Sequence, residues 1–223
     1  MNQDCNKKFF LLRWAQNQRN VRRKEYSMKL IFVRHGRTYF NEIRLTQGWC
    51  DSPLSKTGQK QVQDMRRQLA DIPITRAYSS NLGRAVETAE ILLEDREVEL
   101  IYDKRLKEIN FGIMEGVSSE IVDRLHIESP DWLHNMQMDY RLYEGEEIHD
   151  VIKRHYDFLK DIQANHSDDD TILIVGHGCS LYAFIKSLLT KDQELGMFEN
   201  ASAIIVNKKD STYTVEKVLK PEI

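Results

Sequence analysis

The sequence predicts an α/β fold: a three-layer sandwich with a mainly parallel central sheet, helices on both faces and a helical lid insertion. Three observations predict it. From Met28 onward, short apolar runs alternate with segments whose apolar residues recur every three or four positions. Strands alternating with helices imply a parallel sheet covered on both faces. A length of 223 residues fits one domain, or a core domain with an inserted lid.

Each element has its own justification. Lys29-Leu30-Ile31-Phe32-Val33 is a short apolar β run that ends at a polar cluster. Residues 57–70 carry Val62, Met65 and Leu69, the stripe of an amphipathic helix. Ile74 to Ser79 is a strand candidate, and Gly83 to Leu93 a helix with Ala85, Ala89 and Leu92 inward. Val98 to Tyr102 reads as strand. Residues 146–164 form the longest helix, with Ile148, Val151, Ile152, His155, Phe158, Leu159 and Ile162 on one face. Thr171 to Val175 is the clearest buried strand, introduced by a solvated Asp168-Asp169-Asp170 turn. A helix with Leu181, Phe184, Ile185 and Leu188 follows. Ser202 to Val206 and Tyr213 to Val218 read as a closing pair of strands.

Composition excludes several classes. Hydrophobic residues make up 41% and charged residues 30%, enough for a core and a solvated surface, so the chain is not globally disordered. A net charge of -3 argues against nucleic-acid or membrane-surface binding, which favours a basic excess. No apolar run approaches the ~20 residues that span a bilayer. Cys5, Cys50 and Cys179 form no CxxC pair, so a reducing, cytoplasmic setting is the simpler reading. Residues 1–27 hold seven Lys and Arg against two acids and are read as a basic extension outside the core domain of residues 28–223. The Phe9-Phe10-Leu11-Leu12 run is too short for a signal peptide.

The chemistry sits at two strand ends. Val33 is followed by Arg34-His35-Gly36, and Val175 by Gly176-His177-Gly178. Ligands of open α/β sheets bind beyond the carboxyl ends of the strands. One His-Gly pair would be a loop accident, but two at equivalent positions point to a site. Arg34 and Arg37 repel a cation, so no metal is expected; guanidinium groups around a histidine describe a phosphate site. An uncharged imidazole there can attack phosphorus and carry the phosphoryl group.

These residues resemble the histidine phosphatase superfamily, the phosphoglycerate-mutase-like proteins. The resemblance runs from residue 29 to about 206 through five ordered blocks. They are Arg34-His35-Gly36-Arg37-Thr38 with Asn41, Gln47-Gly48 through Leu54, and Ser79 through Ala85 with Thr88-Ala89-Glu90. Leu106-Lys107-Glu108 with Phe111-Gly112 and Glu115-Gly116, then Gly145-Glu146 with Gly176-His177-Gly178, complete the set.

The resemblance implies His35 as the nucleophile, with Arg34, Arg84 and His177 around the transferring phosphoryl group. It implies Asn41 as a further phosphate donor, Gln47 and Gly48 at the substrate entrance, and Glu108 as general acid. No cofactor is implied, because the arginines and His177 supply the positive field. Outside the motifs, His155 reads as a core histidine, and His126, His134, His149 and His166 as surface residues. Cys179 is expected to pack in the core. Cys50 has no base placed for it. Trp49 is open between substrate contact and packing, and Trp132 leans to packing.

Residues 109–116 resemble the phosphatase branch. The lid, residues 110–148, carries nine acids against Arg124 and Arg141. A mutase needs cations for the second phosphate of its bisphosphorylated intermediate. The sequence therefore favours a metal-independent phosphomonoester hydrolase acting on a small phosphorylated metabolite with a neutral or apolar leaving group. A phosphoglycerate mutase, a bisphosphate sugar phosphatase, a phosphatase of a cobalamin-pathway nucleotide and a non-catalytic phosphate binder are the alternatives.

Overall fold

The computed structural model describes residues 27–125, 137–190, 193 and 195–223. The expected N-terminal extension, His126, His134 and Trp132 lie outside the described residues, apart from Ser27 at the end of the extension.

Six strands form one sheet in the order β3-β2-β4-β1-β5-β6. They are β1 (Met28–Arg34), β2 (Arg76–Ser79), β3 (Leu100–Tyr102), β4 (Thr171–Gly176), β5 (Ala203–Lys209) and β6 (Thr212–Leu219). The pairs β3-β2, β2-β4 and β4-β1 are parallel, while β5 runs antiparallel to both β1 and β6. The sheet is therefore mainly parallel, closed on one side by a hairpin. Around it lie α1 (Tyr39–Glu42), α2 (Lys56–Gln68), α3 (Gly83–Leu93), α4 (Ser119–Arg124), α5 (Ile148–Asn165) and α6 (Gly178–Leu188).

Side-chain alternation along β1 builds the three layers. Ile31 and Val33 pack with Val62 and Met65 of α2, with Leu69 at its C-terminal cap, and with Ala85, Ala89 and Leu92 of α3. Leu30 and Phe32 point the other way, onto Phe158, Leu159 and Ile162 of α5 and Leu181, Phe184 and Ile185 of α6. Burial on both faces explains why β1 and β4 read as continuous apolar runs.

Boundaries shift where side chains have other partners. The strand expected from Ile74 starts at Arg76, because the Thr75 hydroxyl bonds Asp170 and the carbonyl of Thr171. The helix expected from 146 starts at Ile148, because the Glu146 carboxylate is engaged by the Asn110 amide and Arg154. Among the described residues of 110–148, helix is limited to α4 and single 3-10 turns at Gly112–Met114 and Arg141–Tyr143. This segment has its own small core: Phe111, Met114, Val122, Met138 and Tyr140 pack on Ile148 and Val151 of α5. No described helix is long and apolar enough to cross a membrane.

Candidate active site

The parallel register of β1 and β4 sets Val33 opposite Val175 and Arg34 opposite Gly176. The two histidines that follow therefore emerge side by side. The His35 amide donates to the Gly176 carbonyl at 2.9 Å, and the two imidazole centroids lie 5.3 Å apart. Ser79 of β2 pairs with Val175, so α3 begins at the same sheet end and brings Arg84 there.

His35 is buried, and its Nδ1 donates to the Gly36 carbonyl at 2.8 Å. A carbonyl can only accept, so the proton sits on Nδ1 and Nε2 keeps its lone pair. Burial, reinforced by the Arg84 and Arg34 guanidinium groups, pushes the His35 imidazole well below its ordinary value, against the opposing pull of the Gly36 bond. The nucleophile candidate is neutral at pH 7. The Gly36 amide donates to the Thr88 hydroxyl at 3.1 Å, which ties the loop to α3.

Burial also pushes His177 well below its ordinary value, helped by Arg84 and His35. This corrects one expectation: His177 adds a neutral N–H donor rather than a positive charge, and Arg34 and Arg84 are the cations of the cluster. Arg34 donates to the Phe198 carbonyl at 2.7 Å, and its guanidinium lies against the start of α6. A Cβ at Gly178 would lie 3.0 Å from the Arg34 Cζ, so the residue after His177 gains from having no side chain.

Arg84 is fully buried and donates to the Gly48 carbonyl, the Cys50 carbonyl and the Asp51 carboxylate at 2.6, 2.9 and 2.9 Å. Glu108 is buried as well. Its Oε1 accepts the Ile109 and Ser180 amides, and its Oε2 the Cys179 amide, so it caps the N-terminus of α6. Arg154 of α5 holds the same segment from behind, donating to the carbonyls of Arg105, Lys107 and Glu108.

A cavity of about 400 Å³ opens on this cluster. Arg34, His35, Asn41, Gln47 and Glu108 line it, together with a more apolar wall of Phe111, Cys179, Tyr182, Met197 and Phe198. His177 and Arg84 are buried behind it. Gly48 belongs to the loop rather than to the cavity wall: its amide goes to Glu115 and its carbonyl to Arg84. The Asn41 Oδ1 accepts from the Thr38 amide and the Asn200 side chain. The Gln47 Oε1 accepts from the Thr38 hydroxyl, which leaves Nε2 buried without a protein partner.

Five of the nine unpartnered buried polar atoms of the described residues belong to this cluster. They are Arg34 Nε, Arg84 Nε, Gln47 Nε2 and both ring nitrogens of His177, one of which carries the N–H donor of the neutral ring. A buried polar group without a partner costs about 1–3 kcal/mol. Several such donors around one histidine are a receptor for an anion rich in acceptor oxygens.

The described acids of residues 110–148 are engaged away from the cavity. None of them lines it. Glu115 accepts backbone amides, Glu146 pairs with Arg154, Asp139 with Arg141, and Glu147 with Arg141 and His149. Glu128 and Asp131 lie outside the described residues. Cys179 packs against the core cluster around Ile148 and Val151, as expected, and also reaches the cavity wall. One other expectation changes: the His166 side chain is largely buried against the Tyr78 hydroxyl at 2.7 Å. His155 is a core histidine as expected, lowered to about 3 chiefly by burial. His149 is exposed, and burial pushes Cys50 up to about 12. The Trp49 indole packs, donating to the Glu108 carbonyl at 3.0 Å under the Lys107 ammonium.

Sequence reasoning missed Arg154, Asn200, the roles of Glu115 and Thr88, and the wall of Tyr182, Met197 and Phe198. Glu115 and Thr88 stood inside recognised blocks, but nothing in their spacing shows which amides they meet. Arg154, Asn200 and the wall residues carry no local signal.

Comparison with known proteins agrees with this geometry. The family model for the histidine phosphatase superfamily (branch 1) matches residues 30–220. A protein named "Probable phosphoglycerate mutase GpmB" from Escherichia coli O1:K1 / APEC is 32% identical over 168 residues, covering 73% of this chain and 75% of that protein. The crystal structure of a phosphoglycerate mutase from Bacillus anthracis superposes with a TM-score of 0.74 at 30% identity, over 86% of this chain and 93% of the other. A mycobacterial glucosyl-3-phosphoglycerate phosphatase in complex with VO3 superposes with a TM-score of 0.73 at 25% identity, over 85% and 97%. With a family model spanning nearly all of its sheet and a histidine–arginine cluster at the matching strand ends, the chain belongs to the histidine phosphatase superfamily and is an enzyme of that group.

Proposed function

We propose that this enzyme is a metal-independent phosphomonoester hydrolase that works through a phosphohistidine on His35. The observation that carries the reading is the set of unpartnered buried donors around a neutral imidazole whose Nε2 keeps its lone pair. In the first step Nε2 attacks phosphorus, the bond from phosphorus to the alcohol oxygen breaks, and Glu108 gives that oxygen a proton. The Glu108 Oε2 accepts only the Cys179 amide, which leaves it a lone pair to carry the proton. The arginines and the His177 N–H stabilise charge on the equatorial oxygens. In the second step water attacks phosphorus, Glu108 takes back the proton, and His35 is released.

The wall favours a neutral or apolar leaving group. Among the described lining residues Arg34 is the only Lys or Arg. A second phosphate would find no cation of its own, and that disfavours a bisphosphate or a mutase cycle.

Rapid-quench labelling with a ³²P-labelled phosphomonoester tests the reading. An acid-labile, base-stable phosphoenzyme is expected in the wild type and none in His35→Ala. Comparable turnover by His35→Ala would overturn it. Efficient phosphoglycerate mutase activity would overturn the hydrolase assignment while sparing the phosphohistidine.

A further inference from the structure

One carboxylate outside the catalytic cluster is surrounded by backbone amides. The Glu115 Oε1 accepts the amides of Trp49 at 2.7 Å and Phe111 at 3.0 Å. Its Oε2 accepts those of Gly48 at 3.0 Å and Cys50 at 2.9 Å. Three successive amides of the entrance loop therefore converge on a single side chain, in the manner of a backbone anion nest. The opposite side of the same loop faces Arg84, whose Nη2 and Nη1 donate to the carbonyls of Gly48 and Cys50.

The peptide between Gly48 and Trp49 joins the two charges directly. Its N–H donates to Glu115 at 2.7 Å, and its C=O accepts from Arg84 at 2.6 Å. A peptide dipole held between an anion at its N–H and a cation at its C=O is polarised by both, and each bond strengthens the other. The loop has no slack at this point, because a Cβ at Gly48 would lie 2.2 Å from the Ile109 carbonyl oxygen.

We infer that Glu115 is a positioning residue: acting through the Gly48–Trp49 peptide, it sets the guanidinium of Arg84 beside His35 and His177. The inference rests on the reading of this site as a phosphate receptor. It predicts that loss of the Glu115 charge is felt through Arg84 and nowhere else in the reaction. Glu115→Gln keeps the length but sets an NH2 group against amides that are themselves donors. Glu115→Asp keeps the charge and retracts it by one methylene.

A double-mutant cycle with inorganic phosphate as the probe tests this, read by calorimetric titration on folded protein verified by circular dichroism. Glu115→Gln should weaken phosphate binding about tenfold, the size expected for a disturbed charge-assisted hydrogen bond. In an Arg84→Ala background the same change should alter binding by less than about twofold, because coupled residues are non-additive. If Glu115→Gln does not fold, Glu115→Asp enters the same cycle, with a smaller loss and the same non-additivity expected. Additive losses in the two backgrounds would overturn the positioning role and leave the hydrolase reading intact. A wild-type protein with no affinity for phosphate would overturn both.

Discussion

At the scale of single residues, Glu108 carries the sharpest prediction. An alkoxide leaves poorly without a proton, and a positioned acid contributes about 10²–10⁴-fold. A p-nitrophenolate leaves readily without one. Glu108→Gln should therefore slow phosphoryl transfer from alkyl phosphates by that factor, and from p-nitrophenyl phosphate far less. The comparison belongs in the burst phase, since in the proposed cycle Glu108 also serves the second step. The structure adds a control. The carboxylate caps α6 through the Cys179 and Ser180 amides, and the glutamine NH2 faces one of these donors. Thermal denaturation of the variant separates the loss of a proton from the loss of a cap. Equal burst-phase losses on both substrates would make Glu108 only an organiser of the pocket.

At the scale of elements, the site depends on how α1 and α2 are joined. The Ser55 hydroxyl accepts the Gly58 amide at 3.1 Å as the N-cap of α2, and donates to Glu42 of α1 at 3.0 Å. One side chain thus starts the helix under β1 and anchors the turn that carries Asn41. Ser55→Ala should cost about 1 kcal/mol of stability, the usual value of a lost cap, and lower the melting temperature by about 2–4 °C. Calorimetry reads the first effect. An unchanged melting temperature would show that water replaces the cap without loss.

At the scale of the whole molecule, three buried histidines make stability depend on pH. His35, His155 and His177 all have proton affinities depressed by burial in the folded chain, with His155 at about 3. In the unfolded chain each titrates near 6.5. The unfolded state therefore binds more protons once the pH falls below that value, and stability falls with it. The contribution is complete above about pH 6.5 and is lost progressively down toward the folded values. Its slope approaches about 1.4 kcal/mol per pH unit for each histidine. Urea denaturation at pH 7, 6 and 5 should show this decline, and a folded His155→Gln protein should show it reduced by one histidine. A flat profile would mean that these imidazoles bind protons as readily in the folded chain as in the unfolded one. The reaction itself should survive exhaustive chelation, since the arginines supply the positive charge. Loss of activity with EDTA, restored by one divalent ion, would contradict the proposed chemistry.

What the sequence by itself determined is the order of strands and helices and the residues that gather at the candidate site. The continuous apolar runs of Leu30 to Val33 and of Thr171 to Val175 are a local property of the chain, and a histidine follows each of the two strand ends. His35, Arg34, Asn41, Gln47 and Glu108 could be read from motifs, and the tertiary structure brings them to one cavity. Only the tertiary structure decided what the lid carboxylates do. Their charge is visible in the chain, but their partners are not: Glu115, for one, takes the Gly48 amide 67 positions away. The same holds for His177, whose charge depends on burial and on Arg84 rather than on its neighbours in the chain. A residue type states which protons and charges are available. Solvent exclusion and long-range contacts decide which of them the folded protein uses.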